Sequence, residues 1–187
     1  QDQQPDVIGL QEALPDQVEF VEKNFRDYKP AGDTTAIFWN KKTVTLQKSG
    51  NSAYGTWALI KEKKTGKKFY VFNVDLQNTP AAVGKVLDEV AVLNADGLPV
   101  VVTGGFSMKP SDPGLADIEA KMVNARKNAT KTDNTGTFNN WGKNSDIIDH
   151  IYYSGFSSCP EYQTVTKRYA DRKFVSDHYP LMVLLSF

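Results

Sequence analysis

The segment LPVVVTG, residues 98–104, constrains the fold more than any other part of the chain. Its side chains are almost all apolar or β-branched, so a strand formed here has no polar face to present to water. Such a strand needs a layer of structure on each of its two sides. It ends at the glycine pair Gly104 and Gly105, so side chains are missing at the point where a strand-end pocket would form.

Other runs rich in β-branched and aromatic residues predict further strands. We expect residues 34–40 and 43–49 to form one hairpin, and residues 56–62 and 68–76 to form a second. The remaining predicted strands lie at residues 5–12, 147–153, 161–169 and 179–187.

Three segments have helical spacing instead. Apolar residues recur every three or four positions from Leu14 to Phe25 and from Val83 to Leu93. A shorter helix is expected over residues 112–122. Many strands with a few interspersed helices indicate an α/β sandwich, in which two sheets pack together and helices cover the outside. The length of 187 residues predicts a single domain spanning 1–187.

Composition restricts the partners and the compartment. Lys and Arg total 22 and Asp and Glu total 22, so no global positive field exists to attract nucleic acid, and we expect none as a partner. The run KEKKTGKK, residues 61–68, is interpreted as a solvated hairpin tip. No stretch approaches eighteen consecutive apolar residues, so no membrane span is predicted. We expect Cys159, the single cysteine, to be a buried or half-buried structural thiol. The chain shows no signal peptide, and localisation stays open, a mature secreted form included.

Four segments, in this order, resemble the endonuclease/exonuclease/phosphatase superfamily, the DNase I-like metal-dependent phosphoesterases. They are PDVIGLQEAL from residue 5, NVDLQN from residue 73, VTGGFS from residue 102, and IIDHIYYSG from residue 147 with VSDHYPL from residue 175. The resemblance implies an α/β fold, a DNase I-like four-layer α/β/β/α sandwich of two mixed sheets flanked by helices. The family begins with a strand and a helix. The stretch QDQQPDV looks like the last turn of that helix, so both elements are expected to be lacking.

Several positions match the site residues of that family. By resemblance, Glu12 is a metal ligand, and Asp177 is a metal or phosphate-site residue. Asp149 is the carboxylate that orients a catalytic histidine, His178. The implied cofactor is Mg²⁺ or Mn²⁺, because a phosphoester needs its charge neutralised and hard cations prefer carboxylate oxygens.

Other positions depart from the family pattern. The family reads NTHLDH and GDFN where this chain has NVDLQN and GGFS. Asp75 therefore stands in place of a catalytic histidine, and is a candidate new metal ligand. Gly105 replaces the aspartate that positions or activates the attacking water, and Ser107 replaces an asparagine that donates to the phosphate. Ser107 remains a candidate substrate-binding residue.

Two further motifs lie near the predicted site. The loop GTFNNWG, residues 136–142, is similar to a pocket-flanking loop of bacterial members, so Asn139 and Asn140 are candidate substrate-binding residues. Trp141 has two interpretations, ligand contact or half-buried packing. His150 alternates with Asp149 along one strand, so it should face the opposite way and be structural.

Three functions remain open. The leading hypothesis is a catalytically impaired or inactive phosphoesterase-like domain that still binds a divalent cation or a small phosphoester. The second is an active Mg²⁺- or Mn²⁺-dependent hydrolase that uses Asp75. The third is a scaffold or interaction domain, because lacking elements would leave exposed apolar surface and an open sheet edge near the N-terminal region, suited to a dimer or a partner.

Overall fold

A six-stranded mixed sheet forms the centre of the computed structural model, which describes residues 3–168 and 172–187. The described residues form eleven strands: β1 (Val7–Gly9), β2 (Tyr28–Ala31), β3 (Ile37–Asn40), β4 (Val44–Ser52), β5 (Gly55–Glu62), β6 (Lys68–Asp75), β7 (Val100–Gly105), β8 (Val123–Asn124), β9 (Asp149–Ser154), β10 (Ser158–Thr164) and β11 (Leu181–Ser186). They also form four α-helices: α1 (Pro15–Asn24), α2 (Pro80–Leu93), α3 (Ala116–Lys121) and α4 (Ala125–Asn128).

The strands of the central sheet lie in the order β4-β5-β6-β7-β9-β8. Only β6 and β7 are parallel; the other neighbours are antiparallel. The apolar strand β7 lies inside this sheet, and Val100, Val101 and Val102 are all buried. The prediction of a strand covered on both faces is confirmed.

Helices and a second strand layer cover the two faces of the central sheet. Helix α2 packs Val83, Val86 and Leu87 against one face. The opposite face carries a three-stranded sheet, β1-β3-β2, and a two-stranded sheet, β10-β11. Helix α1 covers the outside of β2 and β3 through Val18 and Val21. This order of layers confirms the predicted α/β/β/α sandwich.

The second strand layer is divided into two separate sheets. Strand β1 pairs only with β3, and β11 pairs only with β10, so each has one unpaired edge among the described residues. Both pack on the central sheet, β1 through Val7 near Val71 and β11 through Val183 near Val101. The described part supplies no strand between β1 and β11.

The N-terminal region exposes apolar surface beside this divided layer. Helix α1 has no buried residue, and Phe20 is 61% exposed. A groove of about 500 Å³ runs between this helix and the segment after β1, lined by Leu10, Ala13 and Phe20 among others. Residues 3–6 are not helical, and Gln1 and Asp2 lie outside the described residues.

One predicted hairpin is wrong. Strands β3 and β4 do not pair with each other; β3 belongs to the three-stranded sheet and β4 to the central sheet. Ile37 and Val44 meet in one buried cluster between the two layers. The apolar residues of both strands are therefore buried against each other between the two layers. The turn at residues 41–43 carries the chain from one layer to the other.

The other predicted elements agree with the structure, with shifted ends. Strands β5 and β6 form the predicted hairpin, whereas β2, β8 and α4 were not predicted. Tyr169, the end of the strand predicted at residues 161–169, lies outside the described residues. Cys159 is buried and free, as predicted. None of the described helices has the length and apolar character needed to cross a membrane.

The two glycines that end β7 differ in what the fold requires of them. Gly104 has φ +141°, and a Cβ atom there would lie 1.9 Å from the Val74 carbonyl oxygen. Gly105 has no positive φ, and a Cβ atom there would meet its nearest atoms at 3.7 Å, an ordinary contact distance. Gly104 is therefore needed for close pairing of β7 with β6, whereas position 105 has room for a side chain.

This contrast predicts opposite outcomes for two matched alanine substitutions. Gly104→Ala should lower the free energy of unfolding by more than about 2 kcal/mol, because the methyl group collides with backbone. Gly105→Ala should change it by less than about 1 kcal/mol. Urea denaturation of both variants measures the difference, and equal losses would contradict the strand pairing described above.

Candidate active site

Three neighbouring strands bring Asp75, Gly105 and Asp149 into one row. Asp75 at the end of β6 is the register partner of Gly105 in β7, and Gly105 is the partner of Asp149 at the start of β9. A Cβ atom on Gly105 would lie 3.7 Å from an oxygen of each carboxylate. The row therefore consists of two carboxylates with an open position between them.

Asp149, at the opposite end of this row from Asp75, forms a hydrogen bond with His178. His178 Nδ1 lies 2.8 Å from Asp149 Oδ2, and the Thr137 hydroxyl donates to the same oxygen at 2.6 Å. Thr137 Oγ1 in turn accepts the backbone N–H groups of Ile148 and Asp149 at 3.0 and 3.1 Å. The carboxylate is thus fixed from two directions. Sequence reasoning found Asp149 and His178 but missed Thr137, although it belongs to the loop motif that was singled out.

The hydrogen bond to Asp149 raises the pKa of His178 above its usual value of 6.5, and partial burial opposes that shift. With Nδ1 directed at the carboxylate, Nε2 has no hydrogen-bond partner among the described residues. An imidazole in this arrangement can donate a proton or a hydrogen bond from Nε2 to a ligand oxygen.

The loop at residues 136–142 is attached to the segment that carries His178. The backbone N–H groups of Asn139 and Asn140 donate to the Asp177 carbonyl at 2.7 and 3.1 Å. The Asn139 side chain is buried, donates to the Ser176 carbonyl at 3.1 Å and accepts the Trp141 N–H at 2.9 Å. The Asn139 side chain is thus engaged in hydrogen bonds within the protein, whereas the half-buried Asn140 side chain has no such bond among the described residues. For both residues, ligand contact stays a prediction.

The three predicted metal ligands do not form a preformed set. Within residues 3–168 and 172–187, no group of three or more His, Cys, Asp or Glu side chains is placed to hold a metal ion. Glu12 is exposed, and the Asp177 carboxylate accepts a 3.4 Å bond from Ser176. Because Mg²⁺ is often held by one or two carboxylates together with water, the metal roles of Glu12, Asp75 and Asp177 stay predictions.

A polar cavity of about 360 Å³ opens beside Asp75. Its lining includes the carboxylates of Asp33 and Asp75 together with hydroxyl and amide side chains from residues 34–35, 51–56 and 77. Thr35 and Thr56 share a 3.1 Å hydrogen bond, but neither carboxylate accepts one from a described residue. The cavity can therefore receive hydrogen-bond donors from a ligand, a property that sequence patterns around residue 33 did not signal.

Backbone strain concentrates at this end of the sheet. Seven described non-glycine residues have positive φ, and six of them surround the candidate site: Glu12, Gln77, Asn78, Ser107, Asn140 and Trp141. Such conformations are costly for most side chains and persist where the surroundings hold them. The backbone of the site is therefore constrained even where its side chains differ from the family pattern.

His150 has no place in the site. It is 2% exposed, its Nε2 lies 2.7 Å from the Met108 carbonyl oxygen, and its ring packs against Phe106. Burial lowers its pKa, so the neutral ring donates to Met108. The prediction of a structural His150 is confirmed.

Comparison with known proteins gives one consistent result. The model of the endonuclease/exonuclease/phosphatase family matches residues 1–178. A search of curated proteins found no match to the chain. Solved structures with the same fold include an endonuclease/exonuclease/phosphatase from Bacteroides vulgatus, with 21% identity and a TM-score of 0.84 over 99% of this chain and 86% of that one.

Two further similar structures carry more specific names. A mannosyl-6-phosphatase from Bacteroides thetaiotaomicron has 23% identity and a TM-score of 0.83, covering 97% of this chain and 85% of that one. D. rerio TDP2, complexed with a single-stranded DNA product, has 18% identity and a TM-score of 0.77, covering 98% of this chain and 86% of that one. At these identities the likeness shows a shared fold.

The two histidines should titrate on opposite sides of pH 6.5, their unperturbed value. NMR of the ring protons resolves them, since the chain has only two. Asp149→Asn should lower the pKa of His178, which loses a hydrogen bond and a charge, and lower that of His150 less, because that ring loses only a nearby charge. Asp117→Asn, on α3, should alter neither. Similar pKa values for both rings in the unmodified chain would contradict the described contacts.

These shifts also set the pH dependence of stability. The raised pKa of His178 means that its pairing with Asp149 stabilises the fold below about pH 6.5, and that this contribution is lost as pH rises through the folded-state pKa. The lowered pKa of His150 has the opposite sign: it destabilises the fold as pH falls below about 6.5. Replacing Asp149 by Asn should therefore make acid destabilisation steeper, measurable by urea denaturation between about pH 5 and 8.

Ser107 offers a direct test of the strained backbone. Its φ of +54° favours asparagine or glycine over serine and strongly disfavours a β-branched residue. We expect Ser107→Asn to raise the free energy of unfolding by up to about 1 kcal/mol and Ser107→Val to lower it. Ser111→Asn, at an exposed position without positive φ, is the control. Equal effects at both serines in thermal unfolding would contradict the strain.

Proposed function

Because the chain belongs to the endonuclease/exonuclease/phosphatase family, we propose that it is a phosphoesterase-like domain with impaired catalysis that still binds a small phosphoester. The family membership supplies the reaction class. The site itself supports the two finer parts of the proposal, the loss of turnover and the retention of binding.

The observation that carries the proposal is the difference between the two halves of the strand-end row. On one side Asp149, His178 and Thr137 form a connected hydrogen-bonded group. At the centre, Gly105 provides no carboxylate to position water, and on the other side the Asp75 carboxylate has no hydrogen-bond partner in the described part of the chain. One half of an acid–base site is assembled, and the half that would activate water is not.

The assembled half is suited to binding. His178 Nε2 can donate to a phosphoryl oxygen, while Asp149 stabilises the positive imidazolium. The Asn140 amide and the Ser107 hydroxyl lie on the same strand-end side and can add hydrogen bonds. A divalent cation would neutralise phosphoryl charge when bound, but the described residues contain no preformed group of three His, Cys, Asp or Glu ligands for one.

Loss of the water-positioning group accounts for impaired turnover. Removing one positioned base or one preorganised donor commonly lowers a rate by about 10² to 10⁴. Asp75 adds a second obstacle, because an ionised carboxylate repels an anionic ester at short range. Binding can survive this loss more readily than catalysis, since it depends on fewer groups.

A small ligand fits better than nucleic acid. One similar structure is named a mannosyl-6-phosphatase and another holds single-stranded DNA, so the fold accommodates both types. In this chain the cavity beside the row presents two carboxylates, Asp33 and Asp75, and the net charge is zero. A polyanionic strand would meet unfavourable charge there, whereas the hydroxyl groups of a small ester would find acceptors.

A second candidate function is supported by Asp75. Its carboxylate is unpaired, lies beside the open position at Gly105 and is in register with Asp149 across one strand. In an active hydrolase, Asp75 would take the role of the water-activating base.

A third candidate is a scaffold or interaction domain. The unpaired edges of β1 and β11, the 55% exposed Leu184 and the 61% exposed Phe20 support association with a second copy or another protein. If association is the sole function, Glu12→Ala combined with His178→Ala should leave ligand binding and stability unchanged.

Restoring the family pattern tests the leading proposal. The triple variant Asp75→His, Gly105→Asp and Ser107→Asn should hydrolyse bis(p-nitrophenyl) phosphate or p-nitrophenyl phosphate with Mn²⁺ or Mg²⁺ at least about 100-fold faster than the unmodified chain. A Cβ atom at position 105 meets its nearest atoms at an ordinary contact distance, so the backbone there tolerates the substitution. Absorbance of released nitrophenol measures both rates.

Adding His178→Asn to the triple variant is the control, and it should abolish the gain. If the unmodified chain already turns over and the triple variant is no faster, catalysis is not impaired and Asp75 belongs to a different working site. If Asp75→Asn alone then removes that activity, the second candidate is the correct one.

A further inference from the structure

Trp141 is the most exposed aromatic group beside the candidate site. The chain contains three tryptophans; Trp39 and Trp57 pack against buried clusters, whereas Trp141 is 57% exposed. Among the described residues, its indole has neither a ring partner nor a hydrogen-bond partner. Packing therefore does not account for a large apolar side chain at this position.

The backbone holds Trp141 in place despite strain. Its φ and ψ are +57° and +33°, a conformation that aromatic residues seldom adopt. The buried Asn139 side chain accepts the Trp141 N–H, and the following Gly142, with φ +89°, packs where a Cβ atom would meet the Phe174 ring at 2.9 Å. The indole is presented to solvent by a rigid loop.

This loop places Trp141 next to the acid–base pair. Asn139 and Asn140 both bond to Asp177, the residue before His178, and the rings of Phe138 and His178 are 4.8 Å apart. The loop that carries the exposed indole is therefore attached directly to the segment that carries His178.

We propose that Trp141 is a stacking platform for the sugar ring of a hexose phosphate whose phosphoryl group is held at His178. An indole face packs well against the apolar face of a ring, and nearby polar groups then orient it. Asn140 and Asp177 supply an amide and a carboxylate for ring hydroxyls. The assignment of the phosphoryl group rests on the proposed function; the stacking role of Trp141 rests on its own geometry.

Carboxylates favour a sugar over a nucleobase at this platform. The Asp177 carboxylate beside the loop is a hydrogen-bond acceptor when ionised, and a hexose offers several hydroxyl donors within one ring. A base would stack equally well but offers fewer donors. Nucleoside monophosphates are therefore the comparison ligands.

Calorimetry and tryptophan fluorescence of the full chain test the proposal. The ligands are glucose 6-phosphate, mannose 6-phosphate, the two free hexoses, inorganic phosphate, and adenosine and uridine monophosphates. We expect a hexose phosphate to change the fluorescence of Trp141 and to bind more tightly than inorganic phosphate or either nucleotide.

The variants separate stacking from fold. Trp141→Ala should weaken hexose phosphate binding about three- to tenfold and leave inorganic phosphate binding unchanged, whereas Trp141→Phe should retain most of the affinity. Val92→Ala, which removes a 78% exposed apolar side chain on α2, is the control and should have no effect. His178→Asn should weaken both phosphate-bearing ligands.

The outcomes distinguish this inference from the function on which it rests. If phosphate binds through His178 but Trp141→Ala does not weaken hexose phosphate binding, the platform is wrong and the proposed function stands. If free hexoses change the Trp141 signal but phosphate does not bind, the platform stands without the phosphoryl site. Tighter binding of nucleotides overturns the assignment to sugars, and absence of binding by every ligand overturns both proposals.

Discussion

Backbone hydrogen bonds between β6, β7 and β9 determine the level at which Asp75, Gly105 and Asp149 lie side by side. The close approach of Gly104 to the Val74 carbonyl makes this register possible, because any side chain at position 104 would push β7 away from β6. Strand pairing therefore determines where the site lies, and the side chains at these positions determine its chemistry. Changing residue 105 alters the chemistry, whereas changing residue 104 alters the pairing.

The two ends of the row of Asp75, Gly105 and Asp149 differ in charge. On the Asp149 side, a histidine and a threonine hydroxyl satisfy the carboxylate, and the raised pKa of His178 reflects that pairing. On the Asp75 side, a carboxylate faces an open polar cavity and has no hydrogen-bond partner within the described residues. In the proposed function, this asymmetry orients the phosphoryl group of an ester toward His178 and away from Asp75.

Much of this arrangement could be read from the sequence, for identifiable reasons. The apolar run of β7 has one physical solution, burial on both faces, and it was predicted correctly. Alternation along β9 separated Asp149 from His150, and the structure agrees. The hairpin of residues 34–40 with 43–49 was predicted wrongly, because two apolar strands joined by a short polar turn can pair in one sheet or face each other across two. Local pattern does not distinguish these cases.

Contacts between distant segments could not be predicted from the sequence for the same reason. The role of Thr137 depends on its meeting both Asp149 and the backbone before it, and the internal use of Asn139 depends on the Ser176 carbonyl. Neither has a local signature. That the described residues contain no preformed group of three metal ligands also required coordinates, because the carboxylates at residues 12, 75 and 177 lie on three separated segments.

The open position at Gly105 has a consequence in the genetic code. A glycine codon of the form GGY becomes an aspartate codon by one base change, and the same holds for Ser107 to asparagine from AGY and for Asp75 to histidine from GAY. Since the backbone accommodates a side chain at position 105 and already favours asparagine at position 107, the fold presents little steric barrier to these steps. With codons of those forms, three point mutations restore the family residues at positions 75, 105 and 107, and random mutagenesis under selection for phosphoester hydrolysis has a short route to these three changes.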